Sequence, residues 1–186
     1  MRLFVALEIP AEVRARLAGL ISELRVLGPK LKWVRAESFH LTLKFLGEIE
    51  AVRLAAVRAA LAGVGQREAI ALGFEGLGFF PTEHRPRVLW AGIKAPCGLA
   101  ELARDIERAL LSEGFPREER ELHPHLTLAR MDGGRLPPSL ALEIQKQTAR
   151  EFGATRATEF RLIESKLKST GAEYTTLQSF PFSRES

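Results

Sequence analysis

The chain of 186 residues contains one cysteine, no asparagine and no long hydrophobic run. Cys97 alone excludes an intramolecular disulfide and the cysteine-rich zinc sites, and it is typical of the reducing cytoplasm, where we expect this protein. No apolar stretch approaches the roughly 18–20 residues that a membrane helix requires, so we expect no membrane association. The short apolar run at the N-terminus is interrupted by Glu8 and predicts a strand, not a signal peptide.

Neither sign of charge dominates the composition. The formal net charge is +4, which is compatible with a nucleic-acid partner but does not identify one. Apolar residues make up 46% of the chain, enough for a substantial core. Because no low-complexity linker interrupts the sequence, we expect residues 1–186 to form a single domain.

Periodicity predicts an alternation of strands and helices. Strands are expected at 2–9, 31–34, 39–46, 69–80, 87–94 and 125–130, and helices at 11–27, 50–63, 99–114 and from Pro137 to about Phe152. Two further strands are expected within 154–182, joined near Gly171. Since both halves of the chain contain such blocks, the pattern indicates an α+β fold of two similar lobes.

Two of the four histidines open an identical tetrapeptide, His-Leu-Thr-Leu, at 40–43 and again at 125–128. Both copies lie in predicted strands, where successive side chains point to opposite faces. His40 and Thr42 therefore share one face, as do His125 and Thr127, while the leucines face the other way. The leucines are expected in the core, with one histidine motif in each half of the chain projecting into a cleft.

Two imidazoles and two hydroxyls suit the cleavage of a phosphodiester. A neutral imidazole accepts a proton from the attacking water, and a protonated one donates to the departing oxygen. Threonine hydroxyls can hold the non-bridging phosphate oxygens, and the set needs no metal ion. From the residues alone, a simple polar strand face remains an alternative. So does a metal site built on His123-Pro124-His125 with Glu121, although its spacing fits no complete ligand set.

The neighbouring residues are less decisive. Arg130 is an attractive phosphate contact, but in a regular strand it lies on the face opposite His125, and only a bulge would turn it inward. Trp33 and Trp90 are candidates for stacking a base or for the core. Two histidines are expected outside the chemistry, with His123 in a loop that supports His125 and His84 exposed in a turn.

The order of these motifs resembles the RNA 2′,3′-cyclic phosphodiesterases, formerly called 2′-5′ RNA ligases, of the two-histidine (2H) phosphoesterase superfamily. The resemblance covers essentially the whole chain and rests on RLFVAL at 2–7, Trp33-Val34, HLTLKFLGE at 40–48, Phe80-Pro81, PRVLW at 86–90, PHLTLAR at 124–130, ESKL at 164–167 and Tyr174. Either tetrapeptide alone is a weak signal, whereas the combination in this order is specific.

The resemblance implies a bilobal fold in which two pseudo-symmetric lobes, each an antiparallel sheet flanked by helices, enclose the active site. It implies hydrolysis of an RNA-terminal 2′,3′-cyclic phosphate to a 2′-phosphomonoester without metal or cofactor. His40 would be the proton donor, His125 the proton acceptor, and Thr42 and Thr127 the phosphate ligands, with Arg130 a weaker candidate. The expected substrates are RNA ends or cyclic nucleotides, tRNA fragments among them, and the expected active form is a monomer.

Two other functions stay open at this level. The first is an RNA-end binding or joining protein, forming 2′-5′ bonds, in which hydrolysis is incidental. The second is a 2H enzyme for a small cyclic nucleotide or an ADP-ribose derivative, because the walls of the cleft determine the substrate and the sequence does not show them.

Overall fold

The computed structural model describes residues 1–119, 121–132, 134–168 and 171–183. Its strands are β1 (Arg2–Glu8), β2 (Lys32–Trp33), β3 (His40–Glu48), β4 (Ile70–Phe80), β5 (Val88–Lys94), β6 (His125–Arg130), β7 (Glu151–Ala157), β8 (Glu159–Lys168) and β9 (Gly171–Pro181). Its helices are α1 (Ala11–Leu27), α2 (Leu54–Ala62), α3 (Leu99–Leu111) and α4 (Pro138–Lys146). Within these ranges, no helix is long and apolar enough to span a membrane.

The strands form two antiparallel sheets. The first sheet has the order β3-β1-β8-β9, and the second has the order β2-β6-β5-β4-β7. Helices α2 and α3 contact the first sheet, whereas α1 and α4 contact the second. The predicted α+β architecture of two antiparallel sheets flanked by helices is confirmed. The first sheet combines the N-terminal strands β1 and β3 with the C-terminal hairpin β8–β9. It is therefore complete only when the last two strands of the chain have paired beside β1.

The predicted end of the fourth helix is wrong. Helix α4 ends at Lys146 and a turn follows over residues 147–149. Glu151 and Phe152, the last residues of the predicted helix, belong to β7, which pairs with β4. Gly153 has a φ of +127°, a backbone conformation that no helix accommodates. The tail beyond residue 150 therefore contains three strands, not two, and the extra strand forms the edge of the second sheet.

The motif leucines lie in the hydrophobic core. Leu41 and Leu43 of β3 and Leu126 and Leu128 of β6 are all buried in the same cluster of apolar side chains. That cluster also contains side chains from the helices of both sheets, such as Leu17 of α1 and Leu102 of α3. Packing against this core fixes the face that each motif strand presents to the outside.

Candidate active site

Strands β3 and β6 bring the two histidine motifs to the junction of the sheets. Strand β3 is an edge of the first sheet and β6 is the second strand of the other, and their Cα atoms approach within 8 Å. His40, Thr42, His125 and Thr127 are all partly exposed, while the leucines between them are buried. The alternation predicted from strand periodicity is therefore present in both copies.

Each motif strand has a bulge at the same position. In β3, Ala6 pairs with Thr42 and Val5 with Lys44, which leaves Leu43 as an extra residue. In β6, Trp90 pairs with Thr127 and Leu89 with Ala129, which leaves Leu128 as the extra residue. The bulge buries two consecutive residues in each strand, and the sixth residue of each strand is exposed. These exposed residues are Phe45 in β3 and Arg130 in β6. The two strands thus share one local geometry as well as one tetrapeptide.

The bulge reverses the prediction from strand parity for Arg130. After the extra residue, Arg130 returns to the face of His125 and Thr127, as Phe45 returns to the face of Thr42. The positive charge of Arg130 lies close enough to lower the pKa of His125. Lys44, which in a regular strand would share the face of His40 and Thr42, is instead turned inward by the bulge in β3. Its Nζ lies 2.7 Å from an oxygen of Glu107 and 2.5 Å from the carbonyl oxygen of Pro116.

A hydrogen bond fixes the orientation of the His125 ring. Nδ1 lies 2.6 Å from the backbone carbonyl oxygen of His123. A carbonyl oxygen only accepts, so Nδ1 carries the proton, and Nε2 of the neutral ring is left as the acceptor. Burial lowers the pKa of His125, the His123 hydrogen bond opposes that change, and the charges of Arg130 and His123 add to it. His123 thus supports His125 through its backbone.

His40 is in a less polar environment. Burial lowers its pKa to about 4, a hydrogen bond with the backbone of Ser38 opposes the change, and the charge of Arg14 adds to it. As with His125, the backbone group that holds the ring belongs to the residue two positions earlier. In the free protein at neutral pH, the imidazole of His40 is therefore uncharged.

Aromatic rings from distant strands stand edge-on to both histidines. The ring of Tyr174 lies 4.8 Å from that of His40 at 80°, and the ring of Phe80 lies 5.0 Å from that of His125 at 80°. Phe4 also lies 4.5 Å from His40. The sequence predicts no contact between His40 and Tyr174, the one tyrosine of the chain, because no local pattern reports a contact across more than a hundred residues.

The two tryptophans and His84 lie in different environments. Trp33 packs against the core and donates from Nε1 to the carbonyl of Gly28, whereas Trp90 lines a depression beside His125. His84 is exposed in its turn, as predicted. In the described ranges, no three His, Cys, Asp or Glu side chains come together in a way that could hold a metal ion.

Comparison with known proteins extends these observations. The family model described as LigT like Phosphoesterase matches residues 7–90 and 93–174. An RNA 2′,3′-cyclic phosphodiesterase of Aeropyrum pernix is 38% identical, over 87% of this chain and 92% of its own length. One of Archaeoglobus fulgidus is 34% identical, over 97% of this chain and 99% of its own.

Two solved structures have the same fold. TT0787 of Thermus thermophilus superposes with a TM-score of 0.81 at 31% identity, covering 100% of both chains. LigT of E. coli complexed with 3′-AMP superposes with a TM-score of 0.78 at 28% identity, covering 98% of both.

Proposed function

The chain belongs to the LigT-like phosphoesterase family, and we propose that it is an RNA 2′,3′-cyclic phosphodiesterase that forms a 2′-phosphomonoester. The observation that carries this proposal is the pair of bulged strands, each presenting a histidine and a threonine beside the other. The names of the relatives from Aeropyrum pernix and Archaeoglobus fulgidus support the same reaction.

His125 is the base in this proposal. Its Nδ1 is engaged with the His123 carbonyl, so Nε2 faces the reaction without a proton, and its lowered pKa keeps the ring neutral at pH 7. Nε2 takes a proton from water as the water oxygen bonds to phosphorus. The bond from phosphorus to the 3′ oxygen breaks at the same centre, and the 2′ oxygen keeps the phosphate.

His40 is the acid that protonates the departing 3′ oxygen. With a pKa of about 4, it is uncharged in the free protein and must gain a proton when substrate binds. The negative charge of the bound phosphate raises the pKa of His40, because an anion beside an imidazole stabilises its protonated form. The reaction then ends with His125 charged and His40 neutral, and exchange with water restores the starting state.

Thr42, Thr127 and Arg130 bind the phosphate in this proposal. Both hydroxyls project on the faces of their histidines, and Arg130 joins them through the bulge in β6. Hydrogen bonds and a positive charge directed at the non-bridging oxygens stabilise the charge that develops on them. Both motifs come from one chain, which is the basis for proposing that the active unit is a monomer. RNA ends, tRNA fragments among them, are the proposed substrates.

The test is hydrolysis of a 2′,3′-cyclic nucleotide, in the presence of a chelator, by His40→Ala and His125→Ala variants. His84→Ala is the matched control, because His84 is exposed in a turn. We expect each motif variant to lose about 10²–10⁴-fold in kcat and the control to lose nothing. Undiminished turnover in both motif variants would refute the proposal. Joining of RNA ends through a 2′-5′ bond, without formation of a 2′-phosphomonoester, would favour the RNA-joining alternative.

A further inference from the structure

The open face of the second sheet continues well beyond His125. Gly92 of β5 pairs with His125, and the same strand continues along this face to Lys94. On β4, this face carries Ala71, Gly73 and Gly78, none with a side chain larger than a methyl group, and the larger side chains of Glu75 and Phe80. The face is therefore a shallow floor, in contrast to the opposite side of the sheet, where Leu72 and Phe74 are buried in the core.

Two adjoining depressions occupy this floor. The first, of about 300 Å³, is lined by Phe80, Trp90, His123 and His125 and reaches Glu75 and Lys94. The second, of about 560 Å³, is lined by Gly73, Pro96, Ala154 and Arg156 and shares Glu75 and Lys94 with the first. The two depressions meet at the ion pair between Glu75 and Lys94. Together they form a groove that starts at the proposed base and runs to the edge strand β7.

Glycine lets the aromatic floor of the first depression lie flat. A methyl group added at Gly78 would collide with the indole of Trp90, and one added at Gly92 would lie 3.3 Å from the same ring. The Phe80 ring stands 5.3 Å from Trp90 and separates it from His125. Flat rings on an open sheet are the surface on which single-stranded RNA stacks its bases.

The second depression has the chemistry for a phosphate. Lys94 and Arg156 are both exposed, and Arg156 is held by a hydrogen bond of 3.4 Å to the carbonyl of Ala69. Glu75 pairs with Lys94 and cancels part of its charge, so one net positive charge remains in the groove. A monoanionic phosphodiester matches that charge, and it lies next to a stacked base in any RNA strand.

We propose that this groove binds the 3′-terminal segment of single-stranded RNA. The base of the terminal nucleotide stacks on Trp90, and the phosphodiester that precedes it binds Lys94 and Arg156. The proposal rests on the function given above and makes its substrate class more specific. An oligonucleotide end uses both depressions, whereas a cyclic mononucleotide uses the first alone.

The test compares a cyclic mononucleotide with a trinucleotide that ends in a 2′,3′-cyclic phosphate. We expect a higher kcat/KM for the trinucleotide than for the mononucleotide. Arg156→Gln should lower the ratio of the two kcat/KM values several-fold, by raising the KM of the trinucleotide. Arg104→Gln is the matched control, since this exposed arginine lies on α3, which packs on the other sheet. Glu75→Gln moves the ratio in the opposite direction, because it removes the carboxylate that competes with the phosphate, and a loosened fold would not produce that gain.

Binding of the product, a trinucleotide with a 2′-phosphate, is measured separately because it needs the groove but no hydrolysis. It therefore distinguishes failure of this inference from failure of the proposed reaction. The slope of log affinity against log salt should fall by about 0.7 in Arg156→Gln, as expected for one phosphate contact with a single strand. Loss of that contact in an enzyme that proves unable to hydrolyse either substrate would support the groove and refute the reaction. Equal kcat/KM for both substrates, or an unchanged ratio in Arg156→Gln, would overturn the groove.

Trp90 provides an independent readout, because the chain has only two tryptophans. In a Trp33→Phe variant, fluorescence reports on Trp90 alone. Titration with adenosine 2′-monophosphate should quench it through stacking of the base. Saturable binding that leaves the emission unchanged would show that the base lies elsewhere and would overturn the proposal.

Discussion

Phosphate binding should protonate His40, and this can be tested directly. Burial lowers the pKa of His40 from 6.5 to about 4, which makes protonation about 300-fold less favourable, or ~3 kcal/mol. A unit negative charge about 4 Å from the ring contributes ~4 kcal/mol at an effective dielectric constant of about 20. The two effects nearly cancel, so a bound phosphate should return the pKa of His40 close to its ordinary value.

The assay is an NMR titration of histidine ring carbons, with and without saturating nucleoside 2′-monophosphate. The His40→Gln variant identifies the His40 signal among the four histidines. We expect that signal to titrate near pH 4 in the free protein and near neutrality in the complex. If it titrates near pH 4 in both, His40 holds no proton at neutral pH and its role as the acid is wrong. If it titrates near 6.5 without ligand, the argument from burial is wrong.

The same group makes stability depend on pH. Between pH 6.5 and about 4, the unfolded chain binds a proton at His40 that the folded chain excludes. The free energy of unfolding therefore falls as pH falls through that window, by up to ~1.4 kcal/mol per pH unit from this group. Urea denaturation at several pH values should show a shallower dependence in His40→Gln, and an identical dependence would contradict the assignment.

Three further predictions concern the phosphate ligands, the buried ion pair and the first helix. Thr42→Val and Thr127→Val should each lower kcat by about 10²-fold, with recovery in the serine variants, whereas equal losses in valine and serine variants would exclude a hydroxyl contact. Lys44→Met should destabilise the fold by ~3 kcal/mol because Glu107 loses its partner, and the double variant with Glu107→Leu should recover most of that in urea denaturation. Gly19→Ala should stabilise α1 by about 0.5–1 kcal/mol, since nothing lies within 4 Å of the added methyl group, and a lower Tm would contradict this.

The repeated tetrapeptide determined the pairing of histidine with threonine without any structure. A strand buries every second side chain, so the leucines of each motif had to lie in the core and the histidines outside it. Composition also limited the chemistry, because a single cysteine excludes an intramolecular disulfide and the cysteine-rich zinc sites. The fold class followed from strand and helix periodicity in the same way.

Periodicity failed where the backbone departs from regular geometry. The bulge at Leu128 returned Arg130 to the site against the parity of a regular strand, and the bulge at Leu43 buried Lys44 beside its neighbour. The end of α4 was misplaced because the pairing of β7 with β4, a contact between distant segments, competes with helix continuation. Each of these outcomes depends on a partner strand that the local sequence does not contain.

Sequence alone thus singled out the two imidazoles, while the tertiary structure sets the pKa of each. The same His-Leu-Thr-Leu stands at both sites, yet burial lowers the pKa of His40 to about 4 under Phe4 and Tyr174, and Arg130 acts only on His125. The rings that cover His40 come from distant parts of the chain, and the charge of Arg130 reaches His125 through a bulge that pairing with β5 creates. Two identical motifs therefore lie in different electrostatic environments, and the bound phosphate is what would make one of them the proposed acid.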